Sequence, residues 1–263
     1  MSTTFAAGED NWRARLGTLR QVVRQELVSR QLAEQVPGQP RRRILDVGCG
    51  QGTQLLRLAR RGHDLTGLDS SEQLLADLDK SLSQEPPAVA ARVRLVHAEA
   101  LDVTAEFQAG SFDVVLCHGV LMYFDDPVPL LAALAEVTAP GGLVSLLVRN
   151  GDALAMRPGL RGDWAAAADA LAETGTTYQN RIGVTARADR RADLIASLRA
   201  CHLVVRRWYG VRVFTDQVAD DAPVPEDGAL ERLLACEEQA GRTDPYRSVA
   251  PLLHVIAQRT PPG

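Results

Sequence analysis

The sequence predicts a doubly wound α/β domain, and three observations carry that prediction. Five short apolar runs alternate with stretches whose apolar residues recur at helical spacing, the pattern of a largely parallel sheet covered on both faces. The first run ends in an acid, Asp46, and opens into glycines at alternate positions, Gly48, Gly50 and Gly52. Later runs end in ligand-type residues, Asp69 after the second and His118 after the fourth. These lie at the carboxyl ends of strands, where open α/β sheets hold ligands.

Residues 1–10 read as a disordered start and 11–263 as one domain. From 11 to 35, Leu16, Leu19, Val23, Leu27 and Leu32 recur at helical spacing, with Arg13, Arg15, Arg20, Arg24 and Arg30 between them. This is an amphipathic helix able to close over a pocket; a solvated face is the plainer reading of any one of its arginines. Pro37-Gly38-Gln39-Pro40 stops it. Strand one, 43–46, and a helix over 55–61 flank the glycine loop, whose residues let backbone reach φ > 0 or press close to a ligand. The G-x-G-x-G spacing differs from the dinucleotide-binding G-x-G-x-x-G, which speaks against NAD.

Strand two, 64–68, runs into Asp69, 17 residues beyond Gly52. A βαβ adenosine site places there the carboxylate that accepts both ribose hydroxyls; helix capping is the structural alternative. Ser70-Ser71-Glu72 then caps a helix over 73–82. After a loop at 84–90 and strand three at 93–97, the turn Ala98-Glu99-Ala100-Leu101-Asp102 is placed to border an adenine. Strand four, 114–117, leads to His118-Gly119-Val120-Leu121-Met122-Tyr123. A helix at 130–137, the turn Pro140-Gly141-Gly142 and strand five at 143–148 complete the alternation. Beyond Arg149-Asn150 the pattern breaks. Residues 150–183 read as a helical, lid-like insertion with a helix around 164–173 and little strand character. A helix at 193–200, a strand at 203–214, an acidic loop at 220–227, a helix at 229–240 and a last strand at 252–259 follow.

The 29 basic and 33 acidic residues leave a net charge of −4, which argues against a strongly basic nucleic-acid binder. Lys80 is the only lysine. No apolar run reaches membrane-spanning length and the N-terminus has no signal-like core, so a cytoplasmic location and no membrane partner are expected. Cys49, Cys117, Cys201 and Cys236 are scattered without a CxxC pair, so neither a metal site nor a disulfide framework is indicated. Cys49 reads as a small packing residue with its backbone towards the ligand.

The segments ILDVGCGQGTQ, LTGLDSSEQLL, VRLVHAEALDV, FDVVLCHGVLMYFDDP and APGGLVSLLVRN resemble, in order, the motifs of class I S-adenosylmethionine-dependent methyltransferases. With LGTLRQ, CHGVL, VRN, YGVRVF and DPYRSVAPLLHVIAQR, the chain resembles more narrowly the bacterial tRNA 5-carboxymethoxyuridine methyltransferase family, from about Leu16 to Arg259. The resemblance implies a seven-stranded sheet of order 3-2-1-4-5-7-6 with the last strand antiparallel. It implies an S-adenosylmethionine site made from Arg20, Gly48, Cys49, Asp69, Ala100, Leu101 and His118, with Asp46, Gly50 and Ser70 beside them. Arg20, the arginine of the LRQ motif, would hold the methionine carboxylate.

Members of that family methylate the carboxylate of a modified tRNA wobble uridine. The implied chemistry is an in-line displacement by a carboxylate oxygen. A carboxylate is already ionised at neutral pH, so no general base is required and none is assigned; positioning carries the catalysis. Tyr123, Asn150, Tyr209, Arg212 and Tyr246 are the candidate substrate contacts. The chain departs from the pattern at Gln51, where many such enzymes carry an acid. It also lacks a lysine-rich run before strand six, offering only Arg181, Arg187, Arg190 and Arg191, although phosphate contacts supply much of nucleic-acid affinity. A small metabolite carboxylate or hydroxyl, held under the insertion, is the alternative acceptor. A catalytically silent S-adenosylmethionine-binding protein is the alternative from another class.

Overall fold

Strand β1 (Arg43–Val47) lies at the centre of a parallel array, paired with β2 (Asp64–Asp69) on one side and β4 (Phe112–His118) on the other. The computed structural model describes residues 8–15, 17–172, 176–180 and 182–260. Alternate side chains of these strands enter two separate cores. Leu45 and Val47, Val115 and Cys117, and Val144, Leu146 and Val148 enter the first; Ile44, Val114, Leu116 and Leu147 enter the second. That two-sided burial is why the strands read as near-continuous apolar runs. Truncating a side chain such as Leu116, fully buried between them, costs about 2–5 kcal/mol.

The sheet has seven strands in the order β3-β2-β1-β4-β5-β9-β8, with β3 at Val93–His97, β5 at Thr138–Arg149, β8 at Leu203–Val211 and β9 at Leu252–Arg259. Strand β9 runs antiparallel to both β5 and β8, as the resemblance implied. Helices α5 (Val128–Val137) and α8 (Arg191–Ala200) cover the first core. The second lies under α2 (Leu19–Gln35), α3 (Thr53–Arg60), α4 (Glu72–Leu82) and α9 (Asp227–Ala240). Among the described residues no helix is long and apolar enough to cross a membrane.

Several boundaries differ from the sequence reading for identifiable reasons. The single helix expected over 11–35 is two, α1 (Glu9–Arg13) and α2, separated around Gly17 with Thr18 extended at the start of α2. The loop at 84–90 contains a one-turn helix, Pro87–Ala90, begun by two prolines. The turn at Pro140-Gly141-Gly142 is an irregularity within β5: Phe112 pairs with Thr138, but the next pair is Val114 with Leu143. Strand β8 stops at Val211 because Arg212 adopts φ +66°, so the expected strand to 214 is cut short.

The insertion holds helices α6 (Met156–Leu160) and α7 (Trp164–Leu171), but it is not only helical. A hairpin of β6 (Thr177–Gln179) and β7 (Thr185–Arg187) corrects the expectation of little strand character, and a bridge from Asn150 to Asp189 closes its base. The expected disordered start falls largely on residues 1–7, outside the described residues, as do Leu16, Glu173 and Arg181.

Candidate active site

A cavity of about 190 Å³ opens at the carboxyl ends of β1, β2 and β4. The glycine loop forms one wall. Gly48 has φ +69°, and a Cβ there would lie 2.2 Å from Val120 Cγ2, so only glycine leaves this space open. The loop is tied to the next strand end by Asp69. Its Oδ2 accepts the Gly50 N–H at 2.8 Å and its Oδ1 accepts the Ser71 N–H at 3.0 Å. Burial pushes the Asp69 carboxyl up from its usual range, while these backbone donors pull it back. Ser71 meanwhile caps α4, its hydroxyl accepting from the Leu74 N–H at 3.2 Å. Capping is therefore done by the neighbour, and Asp69 faces the cavity.

Asp46 does not line this cavity. It borders a hollow of about 60 Å³ behind the loop, with Arg24 and Gln54, and burial followed by the charge of Asp69 pushes its carboxyl up to about 7. The Cys49 thiol turns away into the second core towards Gly67, and burial raises its pKa.

The opposite wall is cationic. Arg20 is buried, pairs with Asp220, and donates to the backbone oxygens of Asp216 at 3.4 Å and Val218 at 3.3 Å. Arg157 grips Asp216 with both faces of its fork at 2.7–3.0 Å, and Arg212 reaches the same carboxylate at 3.3 Å. Arg149 is 4% exposed; its guanidinium lies 5.0 Å from the centre of the Tyr178 ring. Arg24 donates to Gln21 Oε1 at 3.3 Å. Burial first, then neighbouring guanidinia, lowers Arg149 and Arg212 to about 10 each, so both remain cationic at neutral pH.

His118 ends a hydrogen-bonded chain that crosses the sheet. Its Nε2 lies 2.9 Å from Ser145 Oγ, Ser145 Oγ 2.8 Å from His254 Nε2, and His254 Nδ1 2.7 Å from Gln31 Oε1. With the Gln31 oxygen accepting, His254 donates from Nδ1. The Ser145 hydroxyl then donates to His254 and accepts the His118 Nε2–H. His118 Nδ1 is left as a lone pair with no partner among the described residues. Burial holds His118 well below its usual pKa and brings His254 to about 3.

The structure gathers Arg20, Gly48, Gly50, Asp69, His118, Tyr123 and Arg212 around one cavity. It leaves others aside. The turn holding Ala100 and Leu101 follows β3 at the correct end of the sheet, but Ala100 packs into the first core and Leu101 faces solvent. Ser70 presents its carbonyl to His97, whose Nε2–H donates at 3.0 Å. Asn150 is fully committed: its amide donates to Ser248 O and Ala250 O at 3.0 and 2.8 Å, and its oxygen accepts from Asp152. Tyr209 is buried, with its hydroxyl bonded to Glu34 and Gln35 at the far end of α2. Tyr246 is half exposed beside Phe214.

Arg24, Arg149, Arg157 and Tyr178 line the cavity and were not singled out by sequence. Arg24 carried a signal, one helical turn beyond Arg20 on the same face. Arg149 carried another, at the carboxyl end of β5. Arg157 and Tyr178 sit in the insertion, where no periodicity marks them.

Residues 45–146 match a family model described as a methyltransferase domain. The chain is 28% identical to tRNA 5-carboxymethoxyuridine methyltransferase of Escherichia coli (strain K12), over 92% of this chain and 89% of the relative. It is 40% identical to ubiquinone biosynthesis O-methyltransferase of Methylococcus capsulatus, over 41% of this chain and 44% of the relative. Among solved structures, magnesium protoporphyrin IX methyltransferase from Synechocystis superposes with a TM-score of 0.61 at 16% identity, covering 97% of this chain and 95% of that one. A Burkholderia thailandensis 1,6-didemethyltoxoflavin-N1-methyltransferase gives 0.59 at 17% identity, covering 98% and 85%. Both share the fold.

Proposed function

We propose a carboxylate as the methyl acceptor for this chain, which is an S-adenosylmethionine-dependent methyltransferase. When bound, S-adenosylmethionine supplies a methyl group on a positively charged sulfur, which an acceptor oxygen displaces in line. The residues present fit that cofactor. Gly48 keeps clear the space beside Val120, and Asp69 brings a carboxylate to the cavity for ribose hydroxyls. His118 has a ring nitrogen with no partner among the described residues. Arg20 would hold the amino-acid carboxylate in place of Asp220, one carboxylate for another.

The carboxylate reading is carried by Arg149, a buried guanidinium in the cavity wall with no carboxylate partner among the described residues. A hydroxyl acceptor needs a base to take its proton, and His118, held well below its usual pKa, is a weak one. A carboxylate needs none. It needs only to be desolvated and held, which a guanidinium fork does.

The carboxylate of a modified tRNA wobble uridine is the first reading, supported by similarity to the Escherichia coli relative along nearly the whole chain. A small-molecule acid is favoured by how the arginines between the insertion and β8 are spent. Arg187 binds Asp189 and the backbone oxygens of Phe124 and Leu121, Arg190 donates to Ala172 O, and Arg191 stacks on Trp208. Mass spectrometry of tRNA nucleosides from cells with and without the gene separates the two. Loss of the wobble-uridine methyl ester on deletion supports the first; an unchanged nucleoside profile removes it.

A further inference from the structure

Among the described residues, six arginines line the cavity: Arg15, Arg20, Arg24, Arg149, Arg157 and Arg212. Among the described residues two carboxylates pair with them, and a third, Asp69, lines the same cavity bonded to backbone amides. Asp220, at the rim, pairs with Arg15 and Arg20, and Asp216 is shared by Arg157 and Arg212. Neither Arg24 nor Arg149 forms a direct ion pair with a carboxylate among the described residues, although Arg149 feels the charge of Asp216. The Nε atoms of Arg149 and Arg212 are buried with no hydrogen-bond acceptor there. A cluster this unbalanced is unfavourable by itself, because a desolvated charge needs a counter-charge as well as hydrogen bonds. The lowered but still basic character of Arg149 and Arg212 excludes relief by deprotonation.

The cofactor does not correct the balance. Its carboxylate answers one guanidinium, but its ammonium and sulfonium bring two further positive charges into the same space. A monocarboxylate acceptor would answer one more, leaving another guanidinium without a direct ion pair. We infer that the acceptor is at least a dianion. One of its carboxylates is esterified, and a second acidic group stays ionised, the two being held between Arg24, Arg149 and Arg212. This rests on the methyl-transfer reading above and narrows it to one class of acid. The second group is a carboxylate in a free metabolite or a phosphate in a nucleotide. In the transfer a new C–O bond forms as the S–C bond breaks, the acceptor oxygen supplies the electron pair, and no proton moves.

The test is transfer of a 13C-methyl group from labelled S-adenosylmethionine by the full-length protein in a cell extract, with small-molecule and RNA fractions analysed separately. The expected product is a labelled methyl ester that still carries an ionised group at neutral pH, detected by its retention on an anion exchanger. Label in the small-molecule fraction identifies a polycarboxylic acid. Label in RNA supports the proposal only if the nucleoside 5′-monophosphate is accepted at least tenfold better than the free nucleoside. A labelled ester with no remaining charge, or equal use of nucleoside and nucleotide, overturns the dianion while leaving methyl transfer to a carboxylate intact. Tight binding of S-adenosylhomocysteine with no labelled ester in either fraction overturns both. With the identified acceptor, Arg149→Gln should raise the acceptor KM at least tenfold without moving the KM for S-adenosylmethionine, and Arg149→Lys should recover part of it. Equal rises in both constants would mark Arg149 as structural and remove its place in the clamp.

Discussion

Asp69 Oδ2 accepts the backbone N–H of Gly50 at 2.8 Å, joining the end of β2 to the turn that follows β1. One carboxylate thus shapes the loop and faces the cavity. Asp69→Ala removes both functions, and S-adenosylhomocysteine affinity should fall by about 1–3 kcal/mol. Calorimetric titration measures it, and an unchanged affinity contradicts the placement of the ribose.

Gly48→Ala introduces a methyl group 2.2 Å from Val120 Cγ2 at a φ of +69°. The left-handed backbone alone costs an alanine about 1–2 kcal/mol. Cofactor affinity should drop at least tenfold, and adding Val120→Ala should recover the part due to the clash. A double variant no better than the single one would show that the contact with Val120 is not what closes the site.

Asp46 sets a pH dependence of known sign. Its carboxyl is raised from an ordinary 3.8 to about 7, so the folded chain keeps a proton that the unfolded chain releases. That contribution is fully present below about pH 4 and is lost as pH rises through about 7. Asp46→Asn should therefore be more stable than the parent at pH 8, with the advantage shrinking towards pH 5. Urea unfolding at the two pH values decides; a constant difference would show that Asp46 does not titrate in this range.

Ser145→Ala breaks the chain between His118 and His254 and strands two buried ring nitrogens. It should cost about 1–3 kcal/mol in urea unfolding, with Ser145→Thr restoring most of it. In 15N spectra of the parent, His118 should be a single neutral tautomer protonated at Nε2 down to pH 6. Loss of that preference in the alanine variant is the signature of the relay, and an identical spectrum in both would refute it.

The sheet was legible because strands buried on both faces leave long apolar runs, and because Gly48, Asp69 and His118 mark three strand ends in register. The cationic wall was less so. Arg20 was found through its motif, yet Arg24 on the same helix looks like any solvated arginine until the fold turns that face inwards. Tyr209 misled because a hydroxyl on an alternating strand carries no mark of its direction; its partners, Glu34 and Gln35, are about 175 positions away. The β6–β7 hairpin escaped notice because each strand has three residues, too few for a period of two to register.

The uneven count of guanidinia has a further consequence for turnover. If the acceptor is the dianion inferred above, esterification removes one of its negative charges in the same step that neutralises the sulfonium, so the arginine that held the acid loses its partner while the net charge of the cavity stays the same. Acid and ester would then differ by a full unit of charge as well as by one methyl group. Under that proposal the acid is held by one more ion pair than its ester, and the cofactor carries one more positive charge than the S-adenosylhomocysteine left behind.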